Sequence, residues 1–104
     1  MSHELAEKLG GLASRVNNLA VHQTGSESRT LLESQDRLTK LELVAIVKEL
    51  SSDDDDYKTA IQGLNEAIAF IGEATKKIEN IALAIQLIAK AADLAEKAIK
   101  TAAA

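Results

Sequence analysis

Leu5, Leu9, Leu12, Val16 and Leu19 follow one another at alternating steps of four and three. In an α-helix such steps keep side chains on one side and mark the a and d positions of a heptad stripe. The pattern predicts an amphipathic helix over about residues 2–22 that packs on a helical partner. Gly10 and Gly11 fall off the stripe, and each costs about 1 kcal/mol of helix propensity relative to Ala. They are expected to be a soft point, with the close approach of another backbone as the alternative. "HQTGSES" then gathers turn formers around Gly25, and a second helix is expected over about 28–50, with Thr30 and Glu33 as a capping box. Its stripe is thin at first (Leu31, Leu38, Leu41). It then crowds, because Leu43, Val44, Ile46, Val47 and Leu50 cover a wider arc than one partner can bury. The chain has no second strand-like segment with which this β-branched run could pair, so helix is the better reading.

"SSDDDD" closes that helix and opens the next. Ser52 or Asp53 is the expected N-cap, and the acids that follow favour the positive end of the helix dipole by about 0.3 to 1 kcal/mol each. Tyr57, Ile61, Leu64, Ile68 and Ile71 resume the four-three alternation, and Ile78, Ile81, Ile85, Ile88, Ala92, Ala95, Ile99 and Ala102 carry it on. The joint through Ile71, Ala74 and Ile78 contains two successive steps of three when Tyr57's register is carried on, a stammer that a continuous helix absorbs by local overwinding or that marks a break. Gly72 is the obvious place for a turn, but "IGEATKK" has none of the further turn residues of a hairpin. The expectation is one helix over about 54–102, roughly 75 Å long at 1.5 Å per residue. The fold class is therefore all-α, a single domain over 1–104 built as an antiparallel bundle of three helices with a long C-terminal one. The alternative is a four-helix bundle with a break near Gly72.

The stretch Ile81 to Ala95, "IALAIQLIAKAADLA", holds twelve apolar residues in fifteen. At about 100° per residue these divide by direction. Ile78, Ile81, Ile85, Ile88 and Ile99, with Ala92 and Ala95, form one stripe, and Leu83, Leu87 and Leu94 form another roughly opposite, with Lys90 and Lys97 at its edge. The Ile stripe satisfies one partner, and the Leu stripe needs a second. Leu83, Leu87 and Leu94 are thus the candidate contact residues, joined by Ile81, Ile85 and Ile88 if the distal half of a long helix is left uncovered.

Composition narrows the chemistry. Among 104 residues there is no Cys, Pro or Trp, and Phe70 and Tyr57 are the only aromatics, so the core is aliphatic and Ala-rich. The net charge of −4 argues against a protein devoted to nucleic acid. It is unevenly spread, −5 over 53–73 and +2 over 76–104. Acid-before-base pairs at i,i+4 (Glu4 and Lys8, Glu33 and Arg37, Asp36 and Lys40, Glu73 and Lys77, Asp93 and Lys97, Glu96 and Lys100) support exposed helix faces. The acidic run does not have the Gly and Glu spacing of an EF-hand loop, "HELAE" has no second zinc-binding His, and "LGGLAS" is no phosphate loop. His3 and His22 are the only imidazoles, one at the chain's start and the other at a helix end, where a capping or solvated role is expected.

No enzyme, cofactor, metal or small-molecule substrate is implied. The expected function is helix-mediated protein–protein association, as a homo-oligomer or as a small adaptor or inhibitor of a protein partner. The alternative is membrane action by the amphipathic, Lys-containing C-terminal helix. No signal-peptide pattern or membrane-length apolar run is apparent, so the expected location is cytoplasmic, or exported without a cleaved signal.

Overall fold

In the computed structural model, which describes residues 3–48, 50–74 and 81–103, four helices follow in order: α1 (Glu4–Ala20), α2 (Gly25–Val47), α3 (Asp55–Ala74) and α4 (Ile81–Ala103). The stripe of α1 is buried throughout, from Leu5 to Leu19. The helix runs unbroken through Gly10 and Gly11. The space over Gly10 is taken by a side chain, since a Cβ there would stand 2.5 Å from the Glu42 Oε2 of α2. The nearest neighbour over Gly10 is thus a side chain and not another backbone.

The turn from α1 to α2 is tight. Val21 N–H returns to the Asn17 carbonyl, and the exposed His22 donates from Nδ1 to the Asn18 carbonyl at 2.8 Å, covering one of the carbonyls orphaned at a helix end. Thr24 is extended and Gly25 takes φ +65°, a left-handed conformation that glycine adopts without steric cost. Ser28 Oγ then donates to the Ala20 carbonyl at 3.1 Å, pinning the new helix to the old one. Helix α2 therefore starts three residues before the sequence suggests. Thr30 lies inside it, and the capping box with Glu33 does not form the start.

At the next junction the cap is Asp54 rather than Ser52 or Asp53. Its Oδ1 accepts the Asp56 N–H at 3.2 Å, and its carbonyl accepts the first intrahelical bond from Lys58 N–H at 3.0 Å. Ser51 and Asp53 are used one step earlier, in the turn that delivers Asp54, where Ser51 accepts the N–H groups of Asp53 and Asp54.

The expected continuous helix over 54–102 is overturned by the contacts between its two halves. Thr101 donates to Asp56 at 3.0 Å, Lys97 lies 3.9 Å from the same carboxylate, and Gly63 faces Ala91 and Leu94. Such contacts require α3 and α4 to lie side by side and antiparallel. The four-helix alternative is the fold, with the chain reversing after Ala74. Residues 75–80, including Ile78, Lys76 and Lys77, lie outside the described residues, as do the Glu73 and Ala102 side chains.

Two antiparallel hairpins, α1–α2 and α3–α4, pack against each other through α1 on α3 and α2 on α4. The starts of α1 and α3 and the ends of α2 and α4 share one pole of a body about 40 Å long and 20 Å by 16 Å across. Leu50, in the connection from α2 to α3, is buried there. The core joins the α1 stripe to Leu31, Leu38 and Ala45 of α2, to Tyr57, Leu64 and Ile71 of α3, and to Ile88 and Ile99 of α4. Between α3 and α4 the seam is built from small residues. Gly63 faces Ala91, and Ala60 and Ala67 on α3 and Ala84 and Ala98, at heptad spacing from Ala91 on α4, are buried with them.

Candidate interaction surface

Apart from the Tyr57 hydroxyl, no polar or charged side chain among the described residues is buried, and no group of three or more His, Cys, Asp or Glu among them is placed to hold a metal ion. A groove on the outer edge of the α3–α4 seam, lined by Thr59, Gln62, Glu66 and Lys90 over Gly63 and Leu94, encloses about 180 Å³. That is smaller than the roughly 300 Å³ at which small-molecule sites begin. No helix among the described residues is long and apolar enough to cross a membrane. What the surface does carry is exposed apolar side chains, and their placement is uneven.

Among the described residues, five of the seven large apolar side chains that stand exposed belong to α2: Leu32, Leu43, Val44, Ile46 and Val47. Four of them fall within residues 43–47, where Leu43 is 61% and Val47 80% exposed. The helix geometry explains why. Leu31, Leu38 and Ala45, at heptad spacing, turn inward and are buried. Leu32, Leu43 and Val47 lie within about 60° of one another on the opposite side. Ile46 flanks them on the side where Glu42 meets α1, and Val44 on the side where Arg37 meets α4. One helix cannot turn both of these faces inward. Single exposed apolar residues are ordinary on protein surfaces, but Leu43 and Val47 together forgo about 2 to 4 kcal/mol of burial free energy on a single patch.

The charges around this face are ordered. Asp36 and Lys40, both exposed, pair at 2.9 Å one turn apart, between Leu32 and Leu43 along the helix. Arg37, on the side facing α4, bridges to Asp93 at 2.7 Å and Glu96 at 3.1 Å, and Lys100 reaches Glu96 at 2.9 Å. The hydrogen bond to Asp93 raises the Arg37 pKa, and the one to Glu96 adds to it against the opposing pull of partial burial. The hydrogen bond from Lys100, followed by that from Arg37, holds the Glu96 carboxyl below its ordinary pKa. The i,i+4 pairs Asp36 with Lys40 and Glu96 with Lys100 form as the sequence suggests. Arg37 leaves Glu33 for the neighbouring helix, and Lys97 leaves Asp93 for Asp56.

The contact residues expected on α4 are distributed differently. Ile88 is fully buried in the core. Ile81, Ile85, Leu87 and Leu94 are half-buried and packed against that core, and Leu83 is 37% exposed. Leu94 lies over Gly63, where an added Cβ would come within 2.7 Å of its Cδ1. The second partner that the Leu stripe asks for is, for Leu94, the neighbouring helix α3. Sequence reading registered the excess of apolar residues in α2. It places the contact site on α4 because the Leu stripe there lies opposite the Ile stripe and asks for a second partner, with Ile81, Ile85 and Ile88 added only if a long helix leaves that end uncovered.

Comparison with known protein families, with curated proteins and with solved structures gives no match for this chain.

Proposed function

We propose that the protein is a non-enzymatic helical bundle that works through helix-mediated protein–protein association, and that its contact face is the outer face of the C-terminal half of α2. One observation carries this reading: Leu43, Val44, Ile46 and Val47 form a single exposed apolar patch directly behind a well-filled inner face. The patch is framed by charged residues, Lys40 and Glu42 before it and Lys48 after it, the pattern of an apolar centre with a polar rim found in protein interfaces. Leu83 on α4 remains a candidate at the edge of the Leu stripe, with Leu87 and Leu94 engaged in the bundle. Membrane action through α4 is less favoured. The apolar side of α4 is turned toward the other helices, so binding a lipid surface with it requires the bundle to open.

A photo-crosslinking amino acid placed at position 43 tests the reading, with position 65 of α3, where Asn65 is exposed, as the control. Crosslinking in cells is expected to give a discrete protein adduct from position 43 that position 65 does not give. Equal, diffuse labelling from both positions rules out the α2 face as an interaction surface.

A further inference from the structure

We draw no further inference here: the strongest candidate, the exposed apolar face of the C-terminal half of α2 formed by Leu43, Val44, Ile46 and Val47, belongs to the surface already described, and nothing in the structure shows what covers it.

Discussion

The hydroxyl of Tyr57 accepts a hydrogen bond from the backbone N–H of Leu5 at 3.1 Å, 52 residues away in the sequence. Both residues are buried, and the bond joins the first turn of α3 to the first turn of α1. Leu5 N–H is one of the donors that a helix start leaves without an intrahelical partner. Tyr57→Phe keeps the ring and removes the acceptor, stranding that donor away from water. A loss of about 1 to 2 kcal/mol is expected in urea unfolding. A variant as stable as wild type would mean that another acceptor takes over the Leu5 N–H.

Two glycines should respond to alanine in opposite directions. Gly25 opens α2 at φ +65°, where a Cβ crowds the backbone, so Gly25→Ala is expected to lower stability by about 1 to 2 kcal/mol. Gly72 lies in the last turn of α3, and a Cβ built there meets nothing within 4 Å. Gly72→Ala is expected to raise stability by up to about 1 kcal/mol through helix propensity. Denaturant midpoints of the two variants, read against wild type, check both signs.

The bridge across α2 and α4 has a defined pH signature. The Glu96 carboxyl is held below its ordinary pKa by Lys100 first and by Arg37 second. A carboxyl with a depressed folded-state pKa adds stability above its unfolded value, and that contribution is lost as pH falls through the folded value. Wild type should therefore unfold at higher urea than Glu96→Gln near neutral pH, with the gap closing from about pH 4.3 downward. Raising the salt concentration at pH 7 should narrow the same gap, because these side chains face solvent. A gap that is constant with both pH and salt would assign the effect to packing.

The first helix could be read from its sequence almost residue by residue, because a heptad stripe of large aliphatics has one low-energy use. Leu5, Leu9, Leu12, Val16 and Leu19 are all core residues. Tyr57, Leu64 and Ile71 on α3 and Leu31 and Leu38 on α2 follow the same rule. The break between α3 and α4 is legible only as an alternative near Gly72, because the stretch lacks the cluster of turn residues that usually marks a hairpin. The small-residue seam was hidden for a different reason. Ala84, Ala91 and Ala98 carry too little apolar surface to stand out beside Ile and Leu, yet they are buried, and Ala91 lies against Gly63 of α3. Leu94 lies over Gly63 of α3, and the larger exposed surplus is on α2. The crowding of Leu43, Val44, Ile46 and Val47 was visible in the sequence from the start. Which of them would stay exposed depended on the arrangement of all four helices.

The polar arrangement of the helices also governs how the protein can be handled. Leu5 reaches Tyr57 and Thr101 reaches Asp56, so the first and last described turns of the chain emerge at one pole, beside the start of α3. The patch at residues 43–47 lies toward that same pole, because Glu42 is level with Gly10 of α1. A reporter attached at the first turn of α1 or the last turn of α4 therefore sits next to the surface whose occupancy it is meant to report. A small label at the opposite pole, on exposed Ser26 beside the α1–α2 turn, keeps the reporter out of the interface.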